Sequence, residues 1–212
     1  AGIGINTFGA GAYQYGFGVF FKPIAEEFGW SRAATAAAFS MSSLEGGIEG
    51  PVIGPLIDRF GPRKVMMVGI TLLSVGLLAL SQINSLLTFY TVYMLLIAIG
   101  FNTGFHWGAQ VAVANWFIRK RGAALGLLGS AQGLGGSVMA PVLAWMVVQM
   151  GWRGSLIVLG LLMFVFCIPL AFLVKHKPEE NGCLPDGDSP DTQARQTAAV
   201  SNALARSQTA AV

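Results

Sequence analysis

The fold class that this sequence predicts is an all-α membrane protein of six transmembrane helices, and three observations predict it. Only 11% of the 212 residues are charged, while 54% are hydrophobic; a soluble domain carries about 25% charged residues. The charges are clustered, which leaves long stretches without any Asp, Glu, Lys or Arg. The basic residues fall mostly on alternate short loops. Mean hydropathy is +0.62. The composition excludes a disordered chain, a nucleic-acid binder built on a basic face and an ordinary cytosolic enzyme. The net charge of +3 is a small excess of 13 basic over 10 acidic residues. Cys167 and Cys183 offer no disulfide framework and no metal-ligand cluster.

The elements follow from the gaps between charges. No charged residue occurs in 1–21, 33–44, 65–118, 122–152 or 154–174. A spanning helix needs about 20 mostly apolar residues. The gap 65–118 is long enough for two helices, divided by the polar, turn-prone Ser81-Gln82-Ile83-Asn84-Ser85. The second helix must run on through Glu45 and Glu49 towards Asp58. The expected helices are therefore 3–21, 33–57, 65–80, 86–116, 123–150 and 154–174, a bundle over 1–177. The first gap lacks the basic n-region of a signal peptide and is long for its apolar core.

Orientation comes from the loops. One side receives Arg59, Arg63, Lys64, Arg119, Lys120, Arg121, Lys175 and Lys177, the other only Lys22, Arg32 and Arg153. The positive-inside rule then puts both termini in the cytoplasm of an integral, multi-pass cell-membrane protein. After Lys177 the chain turns polar, and 178–212 is expected to be a disordered cytoplasmic tail or central loop. Ala1 already lies in an apolar stretch without a charged flank, so the sequence reads as a fragment.

Several residues stand out for chemistry. Glu45 precedes Asp58 by 13 residues, which is roughly 20 Å of helix and places it near mid-membrane. A charge there costs about 2.5–3.5 kcal/mol, so such residues face a cavity or a partner. Glu45 and Glu49 stack on one helical face. They are the proton-carrying candidates, against the reading of a hydrogen-bonded structural acid or one facing a wet vestibule. Asn102, His106 and Gln110 form one polar stripe at four-residue spacing, and helix 1 adds Asn6, Tyr13, Gln14 and Tyr15. Small-residue faces at Gly46, Gly50 and Gly54 in helix 2, and at Gly122, Gly126, Gly129 and Gly133 in helix 5, suit close helix packing. Pro51 and Pro55 kink helix 2. No nucleophile–base pair, metal spacing or phosphate-binding glycine loop appears, which argues against an enzyme and against a cofactor.

Three motifs carry a family resemblance. Between helices 2 and 3 stands Gly54-Pro55-Leu56-Ile57-Asp58-Arg59-Phe60-Gly61-Pro62-Arg63-Lys64. Its Gly54, Leu56, Asp58, Arg59 and Gly61, followed by Arg63 and Lys64, resemble the signature loop of the major facilitator superfamily. The segments 15–32 and 116–126 look like the first external loop and the helix 5 motif of its monocarboxylate and oxalate/formate branch. The resemblance covers residues 1–177. It implies the N-terminal half of a twelve-helix fold built from 3+3 inverted repeats, with a C-terminal six-helix half missing.

The same resemblance implies secondary transport of small organic anions across the lipid bilayer by alternating access, coupled to H+ or a counter-anion. Gly54, Asp58, Arg59, Gly61, Arg63 and Lys64 would form the cytoplasmic gating loop, with Asp58 and Arg59 in its latch, and Arg119, Lys120 and Arg121 would form the helix 4–5 loop. Helices 1 and 4 are equivalent in the repeats, so their polar residues would line a midplane site. A Tyr often stands at the place of His106 in related sequences. The Lys of animal members falls at Tyr15, and helix 4 has no Arg. The cationic anchor for a carboxylate would then lie in the missing half. Helices 2 and 5 would meet that half along their glycine faces. Two other readings stay open: a carrier of a neutral or cationic solute bound by Glu45 and Glu49, and a non-transporting six-helix protein packed on a partner.

Overall fold

The computed structural model describes residues 2–173. The expected tail 178–212, with Lys175 and Lys177, lies outside the described residues. Among those described, the chain is helical almost throughout and contains no strand. In chain order the helices are α1 (residues 2–28), α2 (Arg32–Phe60), α3 (Pro62–Leu80), α4 (Leu86–Trp116), α5 (residues 121–150) and α6 (residues 152–172). Three helical stretches are long and apolar enough to cross a membrane: Pro62–Leu80, Leu86–Trp116 and Arg121–Phe172.

The last of these does not run straight. A 52-residue rod would measure about 78 Å, far more than a bilayer. At Gly151 the backbone leaves helical geometry, with φ 72 and ψ 169. This region is open essentially only to glycine. The chain doubles back there. Gly135 lies on Thr7 and Gly16 on Leu143, whereas Gly4 lies on Leu170 and Trp152 on Glu27. Thus α5 runs parallel to α1, and α6 antiparallel to it.

Local chemistry explains the helix ends. The Ser31 hydroxyl accepts the Ala34 N–H at 3.1 Å and the Ser85 hydroxyl that of Thr88 at 3.2 Å, each an N-cap. Gly61, at φ 82 and ψ 150, ends α2, and Pro62 opens α3, where its missing N–H costs nothing. The first helix does not stop at residue 21 as expected but continues to Phe28. Charged residues end an apolar span without ending a helix, and Lys22 and Glu26 pair one turn apart at 3.8 Å. The other ends shift by up to three residues, α3 beginning at Pro62 rather than 65.

The core is held by glycines. On α4, Gly100, Gly104 and Gly108 meet Leu73, Gly69 and Met66 of α3. A Cβ added at Gly69 would lie 2.3 Å from the Gly104 backbone nitrogen. On α1, Gly11 lies against the backbone of Gly135 and Gly136 of α5. Such contacts let backbones approach where no hydrophobic force between helices operates. The expected packing face of α5 is a correction: a Cβ at Gly122, Gly126, Gly129 or Gly133 meets nothing within 4 Å. The face that packs on α1 is the one bearing Gly135 and Gly136. In α2, Gly54 is likewise open, while Gly46 and Gly50 seat the Asn102 and Trp107 side chains.

A clasp joins the helix ends opposite the basic loops. Glu27 accepts the Trp152 indole N–H and, at 2.9 Å, an Arg153 guanidinium N–H. Arg153 also donates to the Ser81 and Ile83 carbonyls. The indole and then the guanidinium, donating to the Glu27 carboxylate, hold it below the usual carboxylate range. A depressed carboxylate stabilises the fold above its unfolded value, and that contribution fades as pH falls through the folded one. Glu27→Gln should therefore lower the melting temperature in detergent at pH 7, with a difference from the native protein that closes below about pH 4. A difference constant with pH would contradict the clasp.

Candidate functional site: a polar cavity among four helices

Four helices enclose a cavity of about 460 Å³. α1 contributes Tyr13, Gln14 and Tyr15; α2 contributes Phe39, Ser42, Ser43, Gly46 and Gly47; α4 contributes Phe101, Asn102, His106 and Trp107; α5 contributes Gln132. None of these carries a formal charge at neutral pH apart from the titratable His106. Both polar helices widen into π-type turns at this level, Ala12–Gly16 in α1 and Asn102–Trp107 in α4. Wide turns of this kind are frequent at functional sites.

The wall is rigid on one side. Tyr13 is buried, stacks on Phe101 at 4.2 Å and donates its hydroxyl to that of Tyr93 at 3.1 Å. Phe17 packs on Tyr93, and Phe89 carries the aromatic contact on to Trp30. Tyr15 is 55% exposed and lies against Gly136 of α5. Without a side chain at Gly46, the Asn102 amide can sit against α2. The Trp107 indole nitrogen is buried with no hydrogen-bond partner among the described residues.

Five of the seven cavity residues expected from sequence line this space: Tyr13, Gln14, Tyr15, Asn102 and His106. The other two, Asn6 and Gln110, are displaced into a second cavity of about 180 Å³, which also touches His106 and Gln132. The Gln110 amide lies 3.5 Å from the His106 ring nitrogen. Sequence reasoning missed Ser42, Ser43, Trp107 and Gln132. Gln132 had a signal: it is one of few polar residues in a long apolar run.

Glu45 and Glu49 do not line the polar cavity. They face an apolar groove between α2 and α4, formed by residues such as Met41, Leu44, Ile48 and Met94. Both Glu49 oxygens and Glu45 Oε2 are buried without a hydrogen bond of good geometry among the described residues, and Glu49 lies within reach of the Asn102 side chain in the cavity wall. At the basic end, Asp58, Arg59, Arg63 and Lys64 are exposed, as are Arg119, Lys120 and Arg121. Arg59 lies over the Phe60 ring and Arg63 over that of Phe172, which brings the start of α3 to the end of α6.

The sequence matches the family model described as Major Facilitator Superfamily over residues 3–208. The chain belongs to the major facilitator superfamily. It is 29% identical over 177 residues to YcxA, an uncharacterised transporter of this type from Bacillus subtilis, covering 83% of this chain and 42% of that one. It is also 29% identical over 168 residues to the oxalate:formate antiporter of Oxalobacter formigenes, covering 79% and 40%. Monocarboxylate transporter 4 of Mus musculus is 27% identical over 164 residues, covering 76% and 34%. The chain thus spans less than half the length of these relatives. A helical membrane protein of a transporter family accounts for the apolar helices, and the relatives are carriers rather than enzymes by name.

Proposed function

We propose that this major facilitator chain forms one half of a secondary carrier for small organic anions of the monocarboxylate kind, working by alternating access. In this reading α1–α6 each cross the cell membrane, the basic loops and both termini face the cytoplasm, and a second six-helix half completes the path. The observation that carries it is a cavity lined by hydroxyl, amide and imidazole groups and free of acids, in a chain whose relatives include an oxalate:formate antiporter and a monocarboxylate transporter. Hydroxyl, amide and imidazole N–H and O–H groups are the donors that an acceptor-only carboxylate needs. The open glycine face of α5, with Gly54 of α2, suits the approach of the second half.

Glu45 and Glu49, paired in an apolar groove without a cation beside them, are the proton-carrying pair in this reading, since a charge at that depth needs a partner. The test is uptake of labelled lactate by the full protein in proteoliposomes. Formate and oxalate should compete, and a neutral sugar or a primary amine should not. Uptake that is not saturable, or that only the amine suppresses, would overturn the anion reading. Glu45→Gln should flatten the pH dependence of uptake, and an unchanged profile removes that residue from coupling.

A further inference from the structure

We propose that Asn102 is the coupling residue between Glu49 and the solute cavity, its amide presenting its N–H edge either to Glu49 or to a solute carboxylate, one at a time. The proposal rests on the transport reading and deepens it, because Glu45 and Glu49 do not line the cavity they would serve. The seam between α2 and α4 separates the two spaces. On α2, Gly46 and Gly47 face the cavity, and Glu45, Ile48 and Glu49 face the groove. On α4, Asn102 faces the cavity and Thr103 the groove. Asn102 crosses this seam at Gly46, with its side chain within reach of Glu49.

The local geometry suits a turning amide. From a Cβ built on Gly46, Nδ2, Oδ1 and Cγ of Asn102 would lie at 3.0, 3.3 and 3.4 Å. Such similar distances lay the amide flat against α2, so exchanging its two edges moves no backbone and meets no side chain at Gly46. Both Glu49 oxygens are already buried by this half alone, so their donor has to come from within it.

An ionised carboxylate only accepts, whereas a protonated one also donates. While Glu49 is ionised it takes the N–H edge, and the amide oxygen left towards the cavity repels an anion. When a solute carboxylate takes the N–H edge, the amide oxygen turns to Glu49. Glu49 then binds one proton from water and donates it to that oxygen, so that proton uptake accompanies anion binding. Of the other titratable groups, Glu45 is one turn away on α2, Tyr13 of α1 lies in the field of both acids, and Tyr15 and His106 share the cavity. No Lys or Arg lines either space.

The test is proton uptake on lactate binding by the full protein in detergent, read with a pH indicator in weakly buffered solution. The native protein should take up about one proton per lactate, and its affinity should fall about tenfold per pH unit once Glu49 is ionised. Asn102→Leu should bind lactate through the remaining donors without proton uptake. Gly46→Ala leaves Asn102 and Glu49 in place but wedges the amide, and should lose the proton uptake too; it decides the matter where Asn102→Leu binds no lactate. His106→Gln, whatever its affinity, should keep the proton uptake. Proton uptake that persists in Asn102→Leu or Gly46→Ala, or that His106→Gln abolishes, would overturn the coupling role. Loss of all lactate binding in both Asn102→Leu and Gly46→Ala would do the same. A native protein that binds lactate without a proton would instead overturn the proton-carrying pair, and one that binds no lactate the transport reading itself.

Discussion

Gly135→Leu is expected to destroy the packing of α1 on α5. A Cβ at this position would sit 1.7 Å from the Thr7 carbonyl oxygen and 2.8 Å from the Thr7 Cα. Both obstacles are backbone, so no rotamer change relieves them. Overpacking commonly costs about 1–3 kcal/mol and more where the backbone must move. Between membrane helices this close fit is itself the main attraction, since lipid tails compete for apolar surface. The loss would therefore not be offset elsewhere. The measurement is thermal stability and monodispersity of the full protein in detergent. Gly135→Leu should aggregate or melt well below the native protein, and Gly18→Leu, where an added Cβ meets nothing within 4 Å, should melt as the native protein does. Equal melting of native protein and Gly135→Leu would refute the packing described.

This pair of glycines also marks what could be read from the sequence and what could not. Charge gaps located the apolar helices Pro62–Leu80 and Leu86–Trp116 well, because the cost of burying a charge in lipid is large and local. They misjudged ends where a helix outruns its apolar stretch, as α1 does at Lys22 to Phe28. Other observed boundaries carry capping residues, Ser31 at the start of α2 and Gly61 and Pro62 between α2 and α3. Glycine spacing showed that close faces exist but not which faces meet. The pairs Gly122/Gly126 and Gly129/Gly133 have the same four-residue spacing as Gly100, Gly104 and Gly108, yet only the latter touch a neighbouring helix. The partner is set by the tertiary arrangement, which periodicity on one helix does not encode.

The site was legible to a similar depth. Polar residues in apolar helices are costly enough that Tyr13, Gln14, Tyr15, Asn102 and His106 converge on one cavity. Asn6 and Gln110 follow the same rule but lie one or two turns away, which a helical stripe does not resolve. Glu45 and Glu49 signalled their cost and not their direction. Their neighbours Ser42, Ser43, Gly46 and Gly47 line the cavity instead, because only part of a helix circumference can face one space.

The cavity among α1, α2, α4 and α5 is the centre of this account, and Gly47 allows it to be closed without disturbing the fold. Gly47 lines the cavity, is exposed, and has nothing within 4 Å of an added Cβ. Gly47→Phe should place a ring in the space where solute and side chains would meet, while melting as the native protein does. Counterflow reports passage through the carrier directly: proteoliposomes loaded with unlabelled lactate accumulate labelled lactate only if both pass through one site. With the native full protein the label should overshoot its equilibrium level. With Gly47→Phe the overshoot should disappear, at undiminished protein incorporation. Counterflow by Gly47→Phe equal to that of the native protein would contradict a solute path through this cavity.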